Sequence, residues 1–509
     1  MHRTIEEMIA NGFGTLPEFI RVHAQMRPEH IAVRHQDASL TYQELDHLMD
    51  RFAAGLQKEN IAQGAHISVC GLSSIHYVIV FLGTLRAGMT IAPLAPSSTP
   101  NQLASMLEDC AAPLFFIDAG IEEHMRETPL STRVIRFDED SFEAFLGDAE
   151  QFKTVTIAPA DAFNVIYSSG TTGTPKGIVQ AHKMRWAMMI PNDPPGFGPD
   201  AVTLLSTPLY SNTTMTCFIP TLSGGGTVIL MEKFNVQGYL ELAQKWCVTH
   251  TMLVPVQYRR IMSDPEFASY DLSHFEMKFC TSAPFAAALK ADVLARWPGG
   301  LIEYYGMTEG GGSCALVAHN HPDKLDTVGQ PLPGHTMFAI REDGTRCDVD
   351  EVGEIVGTSA FIMRGYHNQP EKTRETEWYD EEGVRHIRTG DIGRFDADGF
   401  LTLMDRKKDM IISGGFNIYP SDIEAILATH PDIVESAVVG VPSDEWGETP
   451  VGFFVLRDGA SVSGEDVRLW LNERVGKTQR LNAAVVLPQL PRSAIGKILK
   501  RELRDEFKA

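Results

Sequence analysis

Cysteine pairs at C-x-x-C spacing are missing from this chain: its seven cysteines, at 70, 110, 217, 247, 280, 314 and 347, are scattered and odd in number. That pattern argues against a disulfide framework or a structural zinc site and fits a reducing compartment, so a cytoplasmic location is expected. Positive charge is scarce as well. Lys and Arg number 44 against 66 Asp and Glu, a formal net charge of −22. Such an acidic balance disfavours nucleic acid or anionic membrane as the main partner, although it leaves room for a local basic pocket. Long apolar runs are also lacking. The most apolar stretch, YVIVFLGTLRAGMTIAPLAP, is cut by Arg86, glycines and prolines, so no integral membrane segment is expected. The start, MHRTIEEMIANGFG, lacks the apolar segment of a secretory leader, and the final FKA is neither a peroxisomal nor a prenylation signal. No short-period repeat or low-complexity tract is present.

What is present is ordinary globular material, 43% hydrophobic over 509 residues, too long for one core and therefore two to four lobes. LTYQELDHLMDRFAAGLQ predicts a helix, with Leu45, Leu48, Phe52 and Leu56 on one face. HISVCGL, TIAPLAP and APLFFID predict short buried strands, with YVIVFLGTLRAG as the first crossover helix. The rhythm recurs in AVTLLSTP, GTVILME, VTHTMLVP and FEMKFCTSAP, so the fold class is α/β, with parallel sheets covered on both faces. After about residue 385 the texture becomes hairpin-like, with Asp398-Gly399 as a turn and Gly414-Gly415 as a kink. Ser421 followed by Glu424 predicts a capping box at the next helix. The last hundred residues predict a small α+β unit. The charged DRKKD run marks the boundary, giving a large domain over 1–404, a connector over 405–408 and a small domain over 409–509.

The most unusual stretch is YSSGTTGTPKG at 167–177. It fails the nucleoside-triphosphate pattern G-x-x-x-x-G-K-[ST], because Pro175 stands where Gly is required and Gly177 where Ser or Thr is required. Gly170, Gly173 and Gly177 nevertheless let the backbone approach a ligand, and Ser168, Ser169, Thr171, Thr172 and Thr174 offer hydroxyls. Lys176 adds a mobile cation. A loop closing over polyphosphate is the expectation, against a plain surface loop as the bland alternative.

The stretch closely resembles the signature loop of the adenylate-forming superfamily of acyl- and aryl-CoA synthetases, luciferases and peptide-synthetase adenylation domains. Further matches follow in that family's order: YYGMTEGGG at 304–312, GEIVG at 353–357, RTGD at 388–391, DRKKDMIISGGFNIYPSDIE at 405–424 and PRSAIGKILKREL at 491–503. The resemblance implies stacked βα sheets plus a distorted barrel-like part in the large domain, and a mobile small domain. It implies ATP, Mg²⁺ and CoA as cofactors or cosubstrates. Ala283, Tyr305, Gly306 and Met307 would help bind ATP or AMP, with Tyr305 stacking on adenine. Thr308 would bond phosphate and Glu309 would hold Mg²⁺ with a hard oxygen. Asp391 would accept both ribose hydroxyls, and Arg406 would contact ribose or phosphate from the connector. Lys497 would bridge the carboxylate and the α-phosphate, lowering the repulsion between two anions. Lys408 occupies the family's hinge position, about which the small domain would rotate between adenylation and thiol attack.

For CoA, the resemblance points to Gly414 and Gly415 along a pantetheine tunnel, Trp446 beside it and Arg480 at the phosphates. The family's frequent K-[FY]-K-x-P run is altered here to Lys477-Thr478-Gln479-Arg480-Leu481. TPLYSNTTM puts Tyr210, Ser211 and Asn212 where many relatives carry a histidine, and CTSAPF puts Thr281 and Ser282 in the same acid pocket. Gly310, Gly311 and Gly312 would give that pocket a smooth wall, or serve loop conformation alone. The expected reaction is carboxylic acid–CoA ligation, leaning to aryl or arylalkenyl acids, with medium or long fatty acids open. The alternative is a stand-alone adenylation enzyme serving a carrier protein or an amine, although TPLYSNTTM lacks the acid that meets an amino group. A non-catalytic adenylate fold is disfavoured because Thr171, Lys176, Glu309, Asp391 and Lys497 are all present. Expected partners are these small molecules, with no nucleic acid and with a homodimer as the assembly to test. HNH at 319–321 offers a histidine pair, read as structural.

Overall fold

The computed structural model describes residues 3–168, 176–190, 196–406, 408–413, 416–443, 446–493 and 497–508. The chain divides into two compact units. One comprises 1–325, 332–335 and 358–387, and the other 326–331, 336–357 and 388–509. The second unit thus takes in 326–331, 336–357 and 388–408, all of which precede 409–509 in sequence.

The first unit is built on two sheets. One runs Gly365–Tyr366, Lys176–Ala181, Ala162–Ser168, Thr90–Leu94, His66–Cys70, Leu114–Ile117, Arg133–Arg136; its βα part is parallel, and Lys176–Ala181 pairs antiparallel with both neighbours. The other runs Ser313–Val317, Gly300–Gly306, Met277–Cys280, His250–Leu253, Val202–Leu205, Thr227–Leu230, Ile31–His35, Ala38–Thr41. All seven predicted βα strands fall in these sheets, because each is a short, largely apolar run of strand length. Helix Tyr42–Lys58 buries Leu45, Phe52 and Leu56, and Thr41 with Glu44 forms its capping box. Helix Ile75–Arg86 is apolar on nearly every face and buried throughout its last three turns.

A buried ion pair braces the second sheet. Lys290, on helix Ala287–Arg296, meets Glu303 on strand Gly300–Gly306, and both side chains are almost wholly shielded. Burial pushes the Glu303 carboxyl up, against the opposing pull of Lys290. Lys290→Met is therefore expected to cost about 1–3 kcal/mol of unfolding free energy, read by denaturant titration. The cost stays moderate because Glu303 can neutralise itself by taking a proton. A carboxyl whose folded pKa is raised contributes stability below its unfolded pKa and loses it as pH climbs through the folded value. The deficit of the variant should accordingly be larger at pH 8 than at pH 5; a pH-independent deficit contradicts the assignment.

In the second unit, strands Thr336–Ile340, Gly353–Thr358 and Arg385–Phe395 lie side by side in one sheet, and Leu401–Arg406 folds back antiparallel to Arg385–Phe395 across the predicted Asp398-Gly399 turn. Gly399 there has φ +82°. This sheet is open, and among the described residues no sheet closes into a barrel, which corrects the expected barrel-like part. The C-terminal sheet, Phe416–Ile418, Ile411–Ser413, Gly447–Leu456, Ile433–Ser443, carries Ala483–Val486 on Gly447–Leu456. The predicted capping box does not form. Helix Pro420–Leu427 has Tyr419 at its N-cap, with Pro420 starting the first turn. Ser421 instead donates to Met404 O, and Glu424 accepts from the Val438 amide at 2.7 Å and from Lys500 at 2.9 Å. Proline at the first helical position displaced the start by two residues.

Candidate active site

The glycine-rich stretch joins two antiparallel strands whose register sets Ser168 opposite Lys176. Ser169, Gly170, Thr171, Thr172, Gly173 and Thr174 lie outside the described residues. Lys176 is a strand residue, and its ammonium lies 5.1 Å from the ring centroid of Tyr366 on the neighbouring edge strand. The Tyr366 hydroxyl donates to Glu309 Oε1 at 2.9 Å, and the Met363 amide donates to the Glu309 carbonyl at 2.8 Å. Burial, and then the Glu309 charge, push the Tyr366 phenol up, so it remains a hydrogen-bond donor at neutral pH. One tyrosine therefore links the cation at the loop's mouth to the carboxylate expected to meet the metal. Sequence reading missed Tyr366, since nothing in IMRGYHN distinguishes it from a packing tyrosine.

Tyr305 and Gly306 end strand Gly300–Gly306, after which Met307, Thr308 and Glu309 turn, closed by the Gly310 amide on Met307 O at 3.0 Å. Gly310, Gly311 and Gly312 have φ of +79°, +80° and +101°. A Cβ on Gly310 would fall 2.1 Å from the Phe361 carbonyl oxygen. Glycine is thus required here by backbone shape and close approach.

Ser211 caps helix Asn212–Ser223, its hydroxyl accepting from the Thr213 amide at 3.3 Å. That use explains a serine at the start of an S-N-T-T run. Burial raises the neighbouring Tyr210 phenol to about 12. Thr281, Ser282 and Ala283 follow strand Met277–Cys280. Ser282 holds φ +83°, a strained value for a non-glycine residue, and its hydroxyl lies 2.5 Å from that of Thr213. Beside it in sequence, the Phe279 ring stacks on Tyr304 with centroids 5.9 Å apart and planes 8° apart.

Behind these residues lies a polar network that sequence reading also missed. Arg185, fully buried on helix His182–Met189, donates to Asn212 Oδ1 at 2.8 Å and Asn164 Oδ1 at 3.2 Å, and to Gln180 Oε1. Gln180 Nε2 in turn donates to the Thr308 carbonyl at 2.7 Å. The only sequence signal was a charge inside the apolar run MRWAMM.

The second unit positions the remaining candidates. Asp391 and Arg406 face each other across the hairpin, and Arg406 Nε donates to Asp391 Oδ1 at 2.6 Å. The Asp391 amide donates to Thr389 Oγ1 at 3.0 Å, and that hydroxyl donates to Ile355 O at 2.9 Å, fixing the strand end. Lys408 lies in an exposed turn held by the Asp409 and Met410 amides on Arg406 O. Gly414 and Gly415 lie outside the described residues. Trp446 is 52% exposed and therefore not a core tryptophan. Arg480 is exposed at the end of the short turn Lys477–Gln479, while Leu481 packs into the small-domain core. Lys497 is exposed on a tight return in which the Ser493 amide donates to Lys497 O at 2.8 Å and the Lys497 amide to Ser493 Oγ at 3.2 Å.

Among the described residues no cluster of three His, Cys, Asp or Glu side chains is arranged to hold a metal. His319 at the HNH run takes the Leu301 amide at 3.1 Å, a structural role. A single placed carboxylate such as Glu309 fits the way Mg²⁺ is held, by one or two carboxylates with substrate phosphates and water, and no protein cage is needed.

Residues 20–367 match the family described as AMP-binding enzyme, and residues 422–497 match the AMP-binding enzyme C-terminal domain. The chain belongs to the AMP-binding enzyme family. It is 31% identical to a feruloyl-CoA synthase of an Amycolatopsis species, over 97% of this chain and 99% of the relative. It is 29% identical to the fatty acid–[acyl-carrier-protein] ligase ScoC of Streptomyces coeruleorubidus, over 97% and 96%. The ATP-bound crystal structure of MatB from Rhodopseudomonas palustris superimposes with a TM-score of 0.86 at 26% identity, over 97% of this chain and 99% of that one. The large-plus-small α/β architecture is that of the adenylate-forming enzymes, and no described helix is long and apolar enough to cross a membrane.

Proposed function

We propose that this AMP-binding enzyme is a carboxylic acid–CoA ligase that adenylates an aryl or arylalkenyl acid with ATP, releases pyrophosphate and then forms the CoA thioester. The observation that carries the reading is the linkage of Lys176, Tyr366 and Glu309, a cation and a carboxylate fixed together where the glycine-rich loop meets its strand. Likeness to a feruloyl-CoA synthase over nearly the whole chain supports the acid class.

In this reading Lys176 steadies the departing pyrophosphate and Thr308 bonds phosphate oxygen. Asp391 accepts the ribose hydroxyls, already oriented by Arg406. Glu309 would hold Mg²⁺, which when bound offsets phosphate negative charge. Lys497 stands between substrate carboxylate and α-phosphate, so that the attacking and attacked anions share one cation. The mixed anhydride is reactive toward water, and shielding it calls for the small domain to close and reopen about Lys408.

A carrier-protein acceptor is the second reading, favoured by the altered run at 477–481 and by likeness to ScoC. The deciding experiment is a pyrophosphate-release screen of aromatic, aliphatic and amino acids, each with and without CoA. CoA-dependent turnover of aromatic acids is the expected outcome. Pyrophosphate release with no CoA-dependent product for any acid favours the carrier or amine acceptor.

A further inference from the structure

Arg185 carries charge where charge is costly. Its guanidinium is wholly buried, and burial alone pulls its pKa down to about 9, which leaves it cationic at neutral pH. Among the described residues no carboxylate stands opposite it. Its hydrogen-bond partners are the amide oxygens of Asn212, Asn164 and Gln180 and, at 3.7 Å, the Met188 sulfur, all of them uncharged, and its Nε has no hydrogen-bond partner there. Amide dipoles soften a buried cation without cancelling it, and an uncompensated charge in a poorly polarisable interior acts over several ångströms. Two of its contacts lead to the proposed site: Asn212 is an acid-pocket residue, and Gln180 holds the Thr308 carbonyl.

We propose that Arg185 is a positioning residue that makes the acid pocket select anions: its buried charge, projected through Asn212 and Gln180, favours a carboxylate over neutral molecules of the same shape. The inference rests on the carboxylic-acid reading above. It differs from a purely architectural role, in which the guanidinium would merely hold Asn212 and Gln180 in place.

The test compares, by ATP–pyrophosphate exchange, the KM of the best acid from the screen with the Ki of its primary carboxamide. Arg185→Met should raise the acid's KM on the order of 10- to 100-fold while the carboxamide's Ki moves less than about 3-fold. Arg185→Lys, which keeps the charge, should restore most of the acid's affinity. Asn164→Asp gives an independent arm that preserves packing. The Asn164 amide nitrogen has no partner among the described residues, so the change loses no hydrogen bond and sets a carboxylate against Arg185. It should weaken the acid selectively, as Arg185→Met does, even if Arg185→Met fails to fold. Acid and carboxamide weakening together, or neither changing, overturns the inference alone. Wild-type exchange with no carboxylic acid at all overturns the ligase reading and this inference with it.

Discussion

Lys497→Ala is expected to slow adenylation on the order of 10²–10³-fold, while thioester formation from preformed acyl-adenylate loses far less. The lysine sits on a return closed by the Ser493 amide on Lys497 O, by the Lys497 amide on Ser493 Oγ and by the bridge from Arg492 to Ile498. Arg492 is anchored to Glu435 at 2.8 Å and Lys500 to Glu424 at 2.9 Å, so the residues flanking the return are tied to the small domain's own framework. A side chain delivered this way is preorganised as far as its Cα, and its loss removes a cation needed only when the two anions meet. Rapid-quench measurement of acyl-adenylate and thioester in separate half-reactions resolves the two steps. Equal loss in both would remove Lys497 from the activating role.

Glu309→Gln is the second large effect. Glutamine keeps the oxygen that accepts from Tyr366 and removes only the charge, so the turn should survive while kcat/KM for ATP falls on the order of 10²–10³-fold. Tyr366→Phe removes the hydroxyl that aims the carboxylate and should cost about 10-fold. The informative comparison is the magnesium concentration for half-maximal rate, raised in both variants and more in Glu309→Gln. A Glu309→Gln enzyme within about 3-fold of wild type, against the 10²–10³ expected for a lost charged group, would falsify the metal-holding role.

The sheets were legible because their strands are short, largely apolar runs, and helix Tyr42–Lys58 because its apolar face repeats at helical spacing. Asp391 and Arg406 were legible as separate motif residues, and the hairpin register then placed them opposite each other. Local competition defeated the reading at Ser421, where a proline one residue earlier took the first helical position and freed the serine for Met404. Tyr366 and Arg185 were invisible for a different reason. Each acts through partners more than twenty residues away in sequence, Glu309 for one and Asn212 for the other, and no local pattern encodes such a pairing.

The triple glycine has a consequence for anyone who wishes to retune this enzyme. With Gly310 pressed against the Phe361 carbonyl and all three residues on the left-handed side of φ, this turn, which the resemblance sets along the acid pocket, is closed to side-chain diversity. A mutational library that randomises it would return mostly misfolded turns. Under the proposed reading, variation in acid preference is to be sought at Thr213, whose hydroxyl meets that of Ser282 and whose side chain stands on a helix, apart from the turn that carries Thr308 and Glu309.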